Sequence, residues 1–239
     1  LDPYEIRARF APTLIVVSPW VLMAVVLAEM NSLTFITGSG FVLVFVVLLY
    51  AVSFVVRQLG LRIQKKLWTL WGGPPSTILM SDGDNTFSQT TKREICTFLV
   101  DVLDVRDAGQ PNWADNAEAI KEAFRLVRQY IRQHDPNGLW FKHVAEYGFL
   151  RNIMGSWWLW LTNSVLVAVI CGYIWYVHST MILVVLMVSV MFGMIAIAAR
   201  IFILPSAVKT AGICYAKSAW MSFLTTAKTG QTKNQGDNK

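Results

Sequence analysis

At 239 residues, 54% of them hydrophobic and with a mean hydropathy of +0.45, the chain is too apolar for an ordinary soluble domain. Its 21 Lys and Arg outweigh 15 Asp and Glu to give a net charge of +6, and that excess is concentrated rather than spread. Three cysteines, Cys96, Cys171 and Cys214, have no pairing or metal spacing, which argues against a disulfide framework and reads them as small buried hydrophobes.

In chain order, Ala11 to Ala28 and Met30 to Val56 contain no charged residue, and Asn152 to Ala199 contains only His178. A bilayer span needs about 20 apolar residues, so the first two runs predict one helix each and the third predicts two. Arg7 and Arg9 precede the first run in the manner of a secretory signal. The run is too long for a signal core, has no convincing small-residue cleavage site and is followed at once by a second span, so it reads as a retained helix. The connections Glu29 to Ile36 and Val177 to Thr180 hold no Lys or Arg, whereas every cation lies elsewhere. Because positive residues stay cytoplasmic, this asymmetry predicts both termini in the cytoplasm and both connections outside.

The expected fold class is therefore an all-α integral membrane protein: four transmembrane helices in two hairpins with a small helical cytosolic domain inserted between them. The boundaries are 1–56 for the N-terminal hairpin, 57–151 for the cytosolic domain, 152–200 for the C-terminal hairpin, and 201–239 for a basic membrane-proximal segment and mobile tail. Arg57 to Arg151 carries 13 cations against 11 acids, whereas Arg200 to Lys239 carries six cations against Asp237 alone. Such a tail suits anionic lipid headgroups.

Within the central segment, "LWTLWGGPPSTILM" (67–80) sets Trp68 and Trp71 against a double glycine and a double proline. A helix reaching Trp71 must break at Gly72 and Gly73. Thr77 to Met80 invites a β reading. "SDGDNT" (81–86) reads as a turn, because it lacks the distant Glu and the Gly placement of a calcium loop. Thr91 and Glu94 stand as a capping box before an apolar stripe of Ile95, Phe98, Leu99, Val102 and Leu103, predicting a helix to roughly Val105. Asp115 and Glu118 open a second helix that buries Ile120, Phe124, Val127 and Ile131 and ends at Asp135-Pro136-Asn137-Gly138. A third starts near Leu139 and runs through Arg151 into the third span.

Lys121, Arg125, Arg128 and Arg132 fall on one stripe of the second helix and suit phosphates, or else form a solvated face in which Glu118 and Glu122 cancel part of the field. The corner has two readings as well. In one, the tryptophans sit in the interfacial belt and the chain simply turns. In the other, Gly72 and Gly73 allow close approach of a ligand, Ser76 and Thr77 offer hydroxyls, and Lys65 and Lys66 lie just before them. In the spans, the polar residues are Ser18, Ser39, Ser53, Thr162, Asn163, Ser164 and Ser189. Thr162-Asn163-Ser164 marks either a helix interface or a pore wall. No ionisable residue lies deep in a span, which disfavours a proton-coupled transporter. No Gly-x-Ser-x-Gly, Walker or dinucleotide signature occurs, so no enzyme, cofactor or metal is expected.

"LWGGPPSTILM" (70–80) and "EYGFLRN" (146–152), with the four-span layout, resemble the membrane effectors of bacterial Hailong-type anti-phage defence systems, which are encoded beside a nucleotidyltransferase. The resemblance covers about a fifth of the chain. It implies an oligomeric inner-membrane ion channel gated by a nucleotide or short oligonucleotide made by the partner enzyme, with no duplex nucleic acid involved. Lys65, Lys66 or the Arg128 and Arg132 side would then meet the phosphates. A single bundle of four spans leaves no room for a hydrated lumen, so conduction requires several copies in the bilayer. The alternatives are a non-conducting anchor or assembly subunit for a cytosolic partner, and an envelope transporter accessory.

Overall fold

The computed structural model describes residues 3–31, 39–178 and 182–236. Residues 32–36 and 179–180 of the two cation-free connections, the Ser39 side chain and the last three residues of the tail lie outside that description. Among the described residues the chain is all-helical, with no strand. Four stretches are long and apolar enough to cross a membrane: Ile6–Ala28, Leu43–Ile78, Leu139–Val177 and Ile182–Gly230. The protein is thus read as a multi-pass membrane protein.

The helices are α1 (Pro3–Glu5), α2 (Ala11–Asn31), α3 (Ser39–Trp71), α4 (Pro75–Ile78), α5 (Gln89–Leu103), α6 (Ala117–His134), α7 (Leu139–His178), α8 (Ile182–Ala198) and α9 (Leu204–Gly236). Two π-turns, Ile6–Phe10 and Ala199–Ile203, join α1 to α2 and α8 to α9. The chain forms two compact units, one of residues 1–64 and 145–208, the other of residues 65–144 and 209–239.

In the first unit, α2 packs along α8, and Val16, Val56, Trp160 and Ala196 form a small core. A second core gathers Val167, Cys171, Ile182 and Val185 against Trp20, Met23 and Val26. Lipid is as apolar as these side chains, so close packing and internal hydrogen bonds must hold the helices together. Both are present where α3 crosses α7. A Cβ built on Gly155 would stand 2.6 Å from the backbone of Leu59 and Gly60, and one on Gly60 would collide with Asn152. The buried Asn152 donates from Nδ2 to the Ala8 carbonyl (2.6 Å), inside the first π-turn. Arg151 donates to Gln64 Oε1 (2.6 Å) and to Asn152 Oδ1 (3.2 Å).

Pro19 sits within α2, where it removes one backbone donor and crowds the carbonyl four residues back, that of Ile15. The Ser18 hydroxyl donates to that carbonyl (2.8 Å), and Asn163 Nδ2 on α7 donates to the neighbouring Val16 carbonyl (3.0 Å). Side chains thus satisfy the acceptors that a proline frees in an apolar setting.

The second unit has a single large core of Leu79, Met80, Ile95, Leu99, Ile120, Phe124, Val127, Ile131 and Trp140, completed from α9 by Ala216, Ala219, Trp220, Phe223 and Leu224. Trp220 and Phe223 are fully buried. Helix α9 runs through the expected basic membrane-proximal segment, and its residues between Ala216 and Ala227 are part of the core, ahead of the stretch 228–239 expected to be mobile. The positions 216, 219, 220, 223, 224 and 227 make an i, i+3, i+4 stripe, and the stripe, rather than the basic charge around it, decides the segment's structure.

Two expected caps move. Helix α5 begins at Gln89 because Ser88, not Thr91, accepts the first free amide, that of Thr91 at 3.1 Å, and the Thr91 hydroxyl lies 2.9 Å from the same oxygen. Helix α6 is capped by Asn116 rather than Asp115, through the Ala119 amide at 3.1 Å. Thr77 to Met80 is not extended either; α4 and the turn after it occupy those residues.

The α3–α7 crossing makes a stability prediction. Gly155→Ala must push the two backbones apart and should cost about 1–3 kcal/mol or more, the usual penalty of overpacking. It should lower the thermal midpoint of the detergent-solubilised protein, whereas Gly172→Ala, whose added Cβ meets nothing within 4 Å, should leave it close to unchanged.

Candidate functional site

The corner after α3 is a complete helix stop. Gly72 and Gly73 take φ values of +84° and +142°, which side-chain-bearing residues rarely adopt. The Gly73 amide donates to the Trp68 carbonyl (2.8 Å) and the Gly72 amide to that of Thr69 (3.4 Å), the paired bonds of a Schellman end. Pro74 is extended and Pro75 opens α4, where its missing N–H costs nothing. Of the residues proposed to meet a ligand here, Lys65, Lys66 and Gly72 are exposed, while Ser76 and Thr77 are buried. The Ser76 carbonyl accepts from Trp220 Nε1 at 3.2 Å, tying the corner to α9. Thr77 Oγ1 is buried with no hydrogen-bond partner among the described residues. The sequence treats this stretch as one loop, but the structure separates it into an exposed cationic approach and a buried hydroxyl pair.

The α6 stripe is exposed along its length, beside the face that buries Ile120, Phe124, Val127 and Ile131. Its first half is neutralised: Lys121 meets Glu118 at 3.2 Å, and Arg125 meets Glu122 at 2.6 Å. The hydrogen bond from Arg125 holds the Glu122 carboxyl below its ordinary range. Arg128 lies 5.7 Å over the Phe124 ring, and neither it nor Arg132 joins an ion pair among the described residues. The uncompensated charge of the stripe is therefore Arg128 and Arg132, on the last two turns of α6.

The span triad is divided as well. Asn163 bridges to α2, the buried Ser164 donates to the Trp160 carbonyl of its own helix (2.9 Å), and Thr162 is exposed. Two of the three therefore serve the fold of one chain, leaving Thr162 as the one member facing outward.

One polar residue that the sequence does not single out is Lys92. It is only 5% exposed although it stands in the first turn of α5, where the helix dipole disfavours a cation. Its stem folds back so that Nζ donates to the carbonyls of Ser81 (2.5 Å) and Asp84 (2.6 Å), and Asp84 Oδ1 in turn accepts from the Thr86 amide (2.8 Å). The acidic loop thus closes on an ammonium ion through backbone oxygens. No periodicity signal could have found it, because the pairing depends on the fold of the loop.

On the same face of α5, burial pushes the Cys96 thiol up from its ordinary value near 9 to about 11. Comparison with protein-family models, with curated proteins and with solved structures yields no match to this chain.

Two predictions follow from α5. Lys92→Met should remove two charge-assisted hydrogen bonds worth about 1.5–3 kcal/mol each and make residues 81–87 sensitive to limited proteolysis. For Cys96, alkylation should be slow at pH 8 and climb towards pH 11. Because the folded thiol is harder to ionise than the unfolded one, its contribution to stability is full below pH 9 and is lost as the pH rises through 11.

Proposed function

We propose that this protein is a subunit of an oligomeric ion channel of the bacterial inner membrane, gated by a nucleotide or short oligonucleotide and serving anti-phage defence by depolarising the cell. In this reading the four spans form two hairpins with their tips outside, both termini are cytoplasmic, and the second unit is the cytosolic sensor. A nucleotidyltransferase supplies the signal. Lys65, Lys66, Arg128 and Arg132 are its proposed phosphate contacts, and the copies assemble with exposed span positions such as Thr162 towards a shared lumen.

The observation that carries the reading is the charge left over on α6, where Arg128 and Arg132 are exposed and join no ion pair among the described residues. The Schellman corner supports the same reading, since Pro74 and Pro75 fix φ directly after the end of α3. The exposed, uncompensated Arg128 and Arg132 supply the phosphate-facing charge that such a signal requires.

The test is membrane potential, followed with a voltage-sensitive dye in cells induced to express the chain alone, and conductance of the purified protein in proteoliposomes with a short single-stranded oligonucleotide. Expression should depolarise the cells. Oligonucleotide should change the liposome conductance several-fold, and Arg128→Ala with Arg132→Ala should abolish that response while sparing basal current. Unchanged potential and no conductance at any oligonucleotide concentration would sink the channel reading and favour a non-conducting anchor.

A further inference from the structure

The arginines of the first unit are provided for unequally. Arg9 pairs with Glu5, and the buried Arg151 donates to Gln64 and Asn152. Arg200, the first Lys or Arg after Arg151, has no such partner: among the described residues it joins no hydrogen bond or ion pair, and its Nε is buried without an acceptor. Its guanidinium lies over the Trp157 ring instead, with Cζ 5.8 Å from the centroid. A ring face attracts the cation but takes none of its N–H groups. A buried donor left unpaired costs about 1–3 kcal/mol, and more when charged, which an acceptor from outside the chain would recover.

The position of Arg200 along the helices says what surrounds it. It stands eighteen residues past Ile182, where α8 begins, so about 27 Å along the axis against a hydrocarbon thickness of about 30 Å. The crossing of α3 and α7 gives an independent measure. The two helices run antiparallel there, because Gln64 meets Arg151 while Val56 packs with Trp160. Arg57, three residues before Gly60, and Trp157, two after Gly155, therefore lie on one side of the crossing and within about 2 Å of the same level. Arg57 and Arg200 end the two charge-free runs at a common depth, the edge of the apolar segments. Apolar surface adjoins the cation at that edge. Met194 and Ile197 are exposed on α8 ahead of it, three exposed residues, Ile201, Phe202 and Ile203, follow it on the π-turn, and Phe202 reaches 77% exposure. Trp158 is exposed beside Trp157, as aromatic residues are at a membrane boundary.

We infer that Arg200 holds the phosphate of an anionic phospholipid, with the acyl chains against Met194 and Ile197 of α8 and with Trp158 and Phe202 flanking the headgroup. The missing acceptor has to arrive with an apolar body, because the cation is surrounded by exposed apolar side chains. A free phosphate would leave those side chains uncovered. A zwitterionic lipid would bring its own cation beside Arg200 and leave the guanidinium without a net counter-charge. The sequence offers lipid contact to the basic tail as a whole, but residues 216–227 of that tail lie in the core of the second unit, whereas Arg200 remains in the first. The inference needs only that the apolar helices span a bilayer, and it involves neither conduction nor a nucleotide.

The test titrates the full chain in detergent with phosphatidylglycerol or with phosphatidylcholine and counts bound lipid by native mass spectrometry. Phosphatidylglycerol should be retained at about tenfold lower concentration, the ratio that one charge-assisted hydrogen bond supplies. Arg200→Gln should remove that preference, and Arg200→Lys should keep only part of it, since lysine holds the charge but lacks the Nε donor and the planar fork. Arg62→Gln, which alters an exposed cation of the same unit, should leave the preference intact. Glycerol 3-phosphate, which carries the phosphate without acyl chains, should not displace the lipid. Equal retention of the two lipids by the unaltered chain overturns the inference whether or not any variant folds. So does a preference that survives Arg200→Gln, one that Arg62→Gln removes equally, or displacement by glycerol 3-phosphate, which would mark a site for free phosphate.

Discussion

The contact on which the first unit depends is the meeting of two backbones, α7 at Gly155 against α3 at Leu59 and Gly60. Within a bilayer no hydrophobic force drives helices together, so close approach and internal hydrogen bonds must supply the cohesion. Glycine at both positions permits the approach. One turn before Gly155, Asn152 uses the same proximity to reach the Ala8 carbonyl, and Arg151 reaches Gln64. The crossing thus holds three segments, the first π-turn, α3 and α7, by bonds that water cannot replace.

The π-turn belongs to this arrangement. Widening the helix over Ile6–Phe10 frees carbonyls from the regular ladder, and side chains collect them: Asn152 takes that of Ala8, and Thr13 that of Arg9 at 2.8 Å. The proline in α2 is treated similarly by Ser18 and Asn163. Several polar residues in these apolar helices therefore act as acceptor-fillers for irregular backbone, which accounts for Asn163 of the span triad, while Ser164 bonds a carbonyl within its own regular helix.

In the second unit the corresponding role falls to Trp220. It fills the core beside Phe124, with ring centroids 5.2 Å apart, while its indole N–H holds the Ser76 carbonyl just past the glycine corner. A late segment of the chain thereby pins the end of α3. Ser222 adds a bond to Asp135 at 2.6 Å, on the turn that launches α7, so α9 braces both places where the chain enters and leaves the unit's middle helices.

The sequence by itself determined what depends on local pattern: the four apolar stretches, the helix stop at Gly72 and Gly73, the buried face of α6, the end of that helix at Asp135, and the pairing of Glu118 and Glu122 with cations one turn on. Each of these rests on composition, on dihedral freedom or on contacts within four residues, all legible along a single line. Its caps erred by one to three residues because Ser88 and Thr91, or Asp115 and Asn116, are equally competent side chains, and neighbouring structure chooses between them. Only the tertiary structure decided that α9 is core between Ala216 and Ala227, that Ser76 and Thr77 are buried, that Lys92 closes the acidic loop, and that Asn163 serves the α2 backbone. Those outcomes join residues up to 147 positions apart, and no spacing rule reaches so far, because which carbonyl is left unpaired or which wall is left open exists only once the helices have packed.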